Sequence, residues 1–254
     1  MFFDTHAHYD SGAFNPDRDE VLAAMPAGGV DLIVNPGCDI PTSRAAVELS
    51  EKYGFIYAAV GFHPEDMDKL CRGWQEEIAA LAGRPKTVAI GEIGLDYYWD
   101  AEHKSQQKEL FVEQIEMALD LSLPVIIHDR EAHGDSLEII RRYPELRGVF
   151  HCYSGSVEMA AELIKMGFYL GFDGPVTYKN AKKQLEVLAE CPIDRILIET
   201  DSPYMTPVPN RGKRNDSRML CHIAEKVGEI KGVTMEEAAR ITKENGKRLF
   251  EIGD

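Results

Sequence analysis

His103-Lys-Ser-Gln-Gln-Lys-Glu-Leu-Phe-Val-Glu-Gln-Ile-Glu-Met-Ala-Leu-Asp-Leu-Ser-Leu-Pro-Val-Ile-Ile-His128 changes its period once along its length, and that change points to the architecture. Over 103–121, Phe111, Ile115, Ala118, Leu119 and then Ser122 fall on one helical stripe, with Glu, Gln and Lys elsewhere. From 123 the run Leu-Pro-Val-Ile-Ile-His is short, β-rich and almost wholly apolar, as a strand covered on both faces should be.

The same pair of patterns repeats on either side. Strands are expected near 1–8, 30–36, 55–63, 87–93, 123–128, 148–153, 167–172 and 195–201. Helices are expected near 17–27, 41–53, 74–82, 103–121, 134–143, 156–166, 180–190 and 216–230, with an extra one near 235–251. Alternation of this kind predicts a parallel sheet with helices outside. Eight such units in 254 residues match the roughly 250 of a (β/α)8 TIM barrel. No Gly-x-Gly-x-x-Gly opens the first helix, which lowers the dinucleotide-binding alternative. With no Pro-, Gly- or Ser-rich linker, residues 1–254 read as a single barrel domain carrying an extra C-terminal helix.

Composition narrows the class. At 44% hydrophobic and 28% charged, the chain resembles an ordinary globular protein. No apolar run approaches the roughly 18 residues of a membrane span, and no basic stretch precedes an apolar leader, so a cytoplasmic location is expected. Five scattered cysteines without a Cys-x-x-Cys give neither a disulfide framework nor a thiolate zinc site. A net charge of −15 argues against a general nucleic-acid coat, which relies on Lys and Arg to neutralise phosphates. It leaves room for an enzyme that holds a few phosphates beside metal ions.

In such a barrel the active site lies at the C-terminal ends of the strands. The first strand ends in His6 and His8, the third in His63, the fourth in Glu92, the fifth in His128, the sixth in His151 and the eighth in Asp201. His6 and His8, two apart on a strand, share a face and lie roughly 6 to 7 Å apart. Any one of these residues has a plain structural reading, a hydrogen-bonded histidine or a turn-capping Asp. Their coincidence at strand ends points to a metal centre of His6, His8, Glu92, His128, His151 and Asp201, with His63 left for substrate. Six nitrogen and oxygen donors exceed what one ion with an open position takes, so two divalent ions are expected, with Glu92 as bridge. Zinc, manganese and magnesium all suit the set.

Asp4 and Glu199, each two residues before a proposed ligand, should face inward one layer deeper. They would either pair with a buried cation or orient a ligating imidazole. Cys152 should face away from the site, since neighbouring strand residues alternate. Candidate phosphate holders are Arg130, His63 and the loop after the eighth strand with Arg211, Lys213 and Arg214. Lys179, Lys182 and Lys183 read as a solvated helix face. Tyr97, Tyr98 and Trp99 either pack their loop or stack on a base.

The chain resembles the TatD family of metal-dependent deoxyribonucleases, in the amidohydrolase-like superfamily. The likeness rests on Asp4-Thr-His-Ala-His8, Val60-Gly-Phe-His-Pro64, Gly91-Glu-Ile-Gly-Leu-Asp-Tyr97, Val125-Ile-Ile-His-Asp-Arg130, His151-Cys-Tyr-Ser-Gly155, Glu199-Thr-Asp-Ser-Pro-Tyr204, Arg211-Gly-Lys-Arg-Asn215 and Asn245-Gly-Lys-Arg-Leu-Phe250. Departures are small: Ala7 and Tyr9 replace Cys and Leu, Asp216-Ser217 stand for Glu-Pro, and Gly246 for Ala. The resemblance implies one ion held by His6, His8, Glu92 and Asp201, and a second by Glu92, His128 and His151. It also implies hydrolysis of DNA from the 3′ end. The expected enzyme acts preferably on single strands, with Asp201 as ligand and general base and Glu92 as bridge. The alternatives are an amide, ester or lactone hydrolase on the same barrel and, in another class, a non-catalytic metal-stabilised binding protein.

Overall fold

Eight parallel strands pair in the order in which they occur along the chain. The computed structural model describes residues 1–253. The strands are β1 (Phe2–Asp4), β2 (Val30–Pro36), β3 (Ile56–Val60), β4 (Thr87–Asp96), β5 (Val125–Arg130), β6 (Gly148–Phe150), β7 (Tyr169–Phe172) and β8 (Ile196–Ile198). Between and after them run α1 (Arg18–Ala23), α2 (Ile40–Lys52), α3 (Trp74–Ala82), α4 (Lys104–Asp120), α5 (His133–Ile140), α6 (Val157–Lys165), α7 (Lys182–Glu190), α8 (Leu220–Lys231) and α9 (Met235–Leu249). This is the (β/α)8 barrel expected, extra helix included. Among the described residues no helix is long and apolar enough to cross a membrane.

The barrel closes above the short strands β1 and β8. Thr5 N–H donates to Ile198 O at 3.3 Å, Asp201 N–H to His6 O at 2.9 Å and His8 N–H to Ser202 O at 2.7 Å. The Asp4 carboxylate adds a side-chain clasp, accepting from Thr200 N–H at 2.9 Å and from Thr200 Oγ1 at 2.6 Å.

Inside, Phe3, Val34, Ala59, Ala89, Ile126, Val149, Tyr169 and Leu197 form one cluster, a residue from each strand. Leu249, Phe250 and Ile252 join it, with the Phe3 and Phe250 rings 6.0 Å apart. Polar contacts place α9 at the strand starts: Lys243 pairs with Asp31 of β2, and Asn245 donates to Ile193 O just ahead of β8 and to Ile196 O at its first residue. One end of the barrel is therefore plugged, and the C-terminal ends of the strands are left open.

Strands β1, β3, β6 and β8 stop three or four residues short of the expected ends. The chain leaves the sheet there, so His6, His8, His63, His151 and Asp201 stand on the turns just above it. Helix α4 also differs in its inward face. Gln107 and Gln114 are fully buried on it, whereas Leu119 is only half-buried and Ser122 lies beyond the helix at φ 57°. Gln107 accepts from Asp96 N–H at 2.8 Å and donates to Asp96 O at 2.9 Å; Gln114 does the same for Phe62 at 2.7 and 2.9 Å. Strand ends carry unpaired peptide groups, each costing about 1–3 kcal/mol if buried alone, and one amide satisfies both halves.

Gly94 sets the register that holds β4 against β5, opposite His128. Its φ of +141° favours glycine, and an added Cβ would lie 2.0 Å from His128 O. Gly94→Ala is expected to lower the unfolding free energy by roughly 3 kcal/mol or more, from strain and clash together. A urea midpoint that stays at the wild-type value would rule out this register.

Candidate metal centre

Five imidazoles converge on one buried carboxylate. Glu92, on the long strand β4, has Oε1 at 2.7 Å from His151 Nε2, 2.9 Å from His128 Nδ1 and 3.5 Å from His63 Nε2. Its Oε2 lies 3.2 Å from His6 Nε2 and 3.6 Å from His8 Nε2. Asp201 Oδ1 faces the same pair, 3.5 Å from His8 Nε2 and 3.8 Å from His6 Nε2. Asp201 holds a left-handed φ of 53°, which Asp tolerates better than most residues.

Proton positions follow from the outer partners of these rings. His8 Nδ1 lies 3.2 Å from Pro36 O, which can only accept, so the N–H is on Nδ1 and Nε2 faces the site. His128 Nε2 lies 2.9 Å from Asp96 Oδ2, which turns Nδ1 inward by the same argument. His6 Nε2 and His8 Nε2 are then only 3.0 Å apart. With neutral rings, lone pairs would face one another and Glu92, an arrangement that a central cation relieves. His6 Nδ1 and His151 Nδ1 are buried without a hydrogen-bond partner, although His151 Nδ1 comes within 3.5 Å of Glu199 Oε1.

The titration shifts show the same crowding. Burial, aided by His151, pushes the His6 pKa down. Burial also opposes charge on His8, His128 and His151, yet the carboxylates outweigh it: Asp201 for His8, Asp96 and Glu92 for His128, Glu92 and Glu199 for His151. His128 is raised to about 9. Burial likewise opposes the charge on Glu92, but His151, His6 and His63 hold its carboxyl well below the usual range. Among the described residues four sets of donors lie within 4.8 Å of one another, and two of them share Glu92: His6 with His8 and Glu92, and Glu92 with His128 and His151. Their nitrogen and carboxylate chemistry fits a divalent cation. The nearby Cys38 thiol is pushed up to about 12 by burial and stays protonated.

A cavity of about 810 Å³ opens above this cluster, with Glu92, His128, His151 and Asp201 in its wall. His63 and Arg130 line it as expected. The basic loop after β8 does not. Arg211 lies over the Tyr178 ring at 4.2 Å, Lys213 reaches only Asn210, and Arg214 pairs with Asp17 at 2.7 Å over the Phe14 ring. Asp17 and the two rings hold Arg211 and Arg214, and none of Arg211, Lys213 and Arg214, expected to hold substrate phosphate, lines the cavity. Asp4, expected beside a ligating imidazole or a buried cation, has its carboxylate on the Thr200 backbone N–H and hydroxyl where the barrel closes. Glu199 does face His151, and its Oε1 accepts from Cys152 N–H at 2.6 Å. Cys152 lines the cavity after all, because β6 ends at Phe150 and a φ of 43° breaks the strand alternation.

Sequence reading passed over two acids. Asp96 is fully buried and orients His128; its position four residues beyond Glu92, on the same face of one strand, is the signal that finds it. Asp173, just past β7, lines the cavity with Oδ2 unpartnered. Burial, then Glu199 and Asp201, push its carboxyl well above the ordinary range.

A family model described as TatD related DNase matches residues 3–251. The chain belongs to the TatD family. Among TatD-like relatives, the uncharacterized metal-dependent hydrolase YabD of Bacillus subtilis (strain 168) is 48% identical over 254 residues, covering 99% of this chain and 100% of its own. The 3′-5′ ssDNA/RNA exonuclease TatD of Salmonella typhimurium is 33% identical, covering 98% and 99%. The crystal structure of the TatD homologue YjjV from Escherichia coli K12 superimposes with a TM-score of 0.93 at 30% identity, covering 99% and 98%. As a TatD family member the protein is a metal-dependent hydrolase.

If Asp96 fixes the His128 ring as described, Asp96→Asn should weaken binding of Mn or Zn by about tenfold to a hundredfold, read by titration calorimetry. Unchanged affinity would reduce Asp96 to a loop anchor.

Proposed function

We propose that this chain hydrolyses phosphodiester bonds at the 3′ ends of DNA, preferably single strands, using two divalent ions from among zinc, manganese and magnesium. The observation that carries the reading is Glu92. Its Oε2 faces His6 and His8, and its Oε1 faces His128 and His151, as a carboxylate shared between two ions must. On this reading His6, His8, Glu92 and Asp201 hold one ion, and Glu92, His128 and His151 hold the other. The family description and the name of the Salmonella relative support a nucleic-acid substrate.

Ions bound there supply Lewis acidity to a phosphoryl oxygen and lower the pKa of a water. The chain's residues do the rest. Asp201, kept ionised by His8, His6 and His151 against the effect of burial, accepts the proton of the attacking water. The water oxygen bonds to phosphorus, the P–O bond to the sugar breaks, and the sugar oxygen leaves with the electron pair and takes up a proton. His63 Nδ1 accepts from Glu65 N–H at 3.2 Å, so its Nε2–H points inward to donate to a phosphate oxygen. Arg130 is the cation on the wall for a further phosphate.

A second reading, an ester, lactone or amide hydrolase, draws on one feature. The cavity wall carries Asp10, Glu65, Asp66, Glu92, Asp129, Asp173 and Asp201 against Arg130 as its one Arg or Lys. A wall this acidic suits a neutral substrate. The charge of the bound ions offsets the carboxylates at the centre, which keeps DNA as the preferred assignment.

A 5′-labelled single strand incubated with Mg, Mn or Zn is expected to shorten from its 3′ end. EDTA should stop the reaction, and Glu92→Ala should lower it by more than the roughly hundredfold that loss of a supporting partner costs. A strand left intact with all three ions, while the same preparation opens a lactone, would transfer the assignment to the second reading.

A further inference from the structure

Large apolar side chains in contact with solvent are gathered at the mouth of this cavity. Of the seven exposed among the described residues, Trp99, Tyr204 and Met205 line it and Tyr98 stands next to Trp99, with Trp99 at 63% and Tyr204 at 60% exposure. Such a concentration beside a polar site marks a surface that something covers. Trp99 follows β4 and Tyr204 follows β8. In a ring of eight strands paired in sequence order, β4 and β8 are diametrically opposite, so Trp99 and Tyr204 reach the cavity wall from opposite sides of the barrel.

Both corners are fixed in place. Asp96 Oδ1 accepts from Tyr98 N–H and Trp99 N–H, each at 2.9 Å, and the two rings meet edge to face at 4.9 Å. On the other side Tyr204 N–H donates to Asp201 O at 2.9 Å, and Asn215 donates to Tyr204 O at 2.7 Å. The corners differ in charge. Arg130 has its guanidinium 4.0 Å from the Tyr98 centroid and 5.6 Å from that of Trp99, whereas Tyr204 has Met205 beside it on the cavity wall and no Arg or Lys.

Building on the nuclease reading above, we propose that Trp99 and Tyr204 stack the two bases that flank the scissile phosphate. Aromatic faces accept any base, so the site reads an unpaired end rather than a sequence. Charge decides which base goes where. A 3′-terminal nucleotide is joined through the scissile phosphate and brings no other, and the next phosphate belongs to the penultimate nucleotide. The penultimate nucleotide therefore takes the Trp99 corner, with its phosphate on Arg130, and the terminal base takes Tyr204. A paired end cannot reach both rings, so the proposed preference for single strands needs no basic groove.

The test uses 5′-labelled single strands carrying a tetrahydrofuran abasic residue at the terminal or the penultimate position. Trp99→Ala should raise KM on the normal strand roughly tenfold, with most of the loss in KM rather than kcat. A penultimate abasic residue should cost the wild type the same factor and cost Trp99→Ala nothing further. Tyr204→Ala should pair in the same way with the terminal abasic residue, and Trp99→Phe, which keeps a π face, should recover most of the loss. Wild-type enzyme that trims abasic and normal ends equally well overturns this inference and leaves the nuclease reading standing. Losses from Trp99→Ala and the penultimate abasic residue that multiply also overturn it. Wild type that cuts no strand overturns the nuclease reading itself, and this inference with it.

Discussion

A single buried carboxylate surrounded by imidazoles is the constraint around which the open end of this barrel is built. Removing Glu92 from water is costly, and the cost is tolerable only because positive or polar groups meet each of its oxygens. His6 and His8 arrive from the turn after β1, His63 from that after β3 and His151 from that after β6, while His128 and Glu92 project from within β5 and β4. Where β1, β3 and β6 end early, the turns bend their histidines over the mouth.

The two ends of the barrel divide the labour. One residue from each strand fills the interior, and the segment after α9 packs onto the same cluster, which leaves no room there for solvent or substrate. At the other end polar groups replace apolar ones, and even the helical layer takes part. Through Gln107 and Gln114, α4 holds the backbone at the end of β4 and just past β3 from outside the sheet. Asp96 then passes this order inward, touching the His128 ring with one oxygen and the backbone of Tyr98 and Trp99 with the other.

Much of this was legible in the residues themselves. The change of period between 103–121 and 123–128, repeated along the chain, yields the barrel, because period reports burial directly. Strand ends carrying His6, His8, Glu92, His128, His151 and Asp201 converge as read, since topology alone brings the C-terminal ends of parallel strands together. Side-chain destinations were harder to read. Arg214 sits in a basic run after β8, yet its partner Asp17 comes from the other end of the chain, and no local pattern announces that pairing. Asp4 shares the parity of His6 but finds Thr200 nearer. Cys152 obeys alternation only while a strand lasts. Gln107 and Gln114 interrupt the apolar stripe because they answer to peptide groups, which hydrophobic periodicity does not register.

The closing seam between β1 and β8 gives the molecule a further property. Its hydrogen bonds are made by the backbone of the candidate ligands, Asp201 N–H to His6 O and His8 N–H to Ser202 O, and its clasp joins Asp4 to Thr200 across 196 positions of sequence. No shorter piece of the chain holds both halves. A chain that has not brought its eighth strand home lacks Asp201 beside His6 and His8, and lacks the backbone partners that tie those two histidines down. The contacts that close the barrel are thus the same ones that position His6, His8 and Asp201 at its mouth.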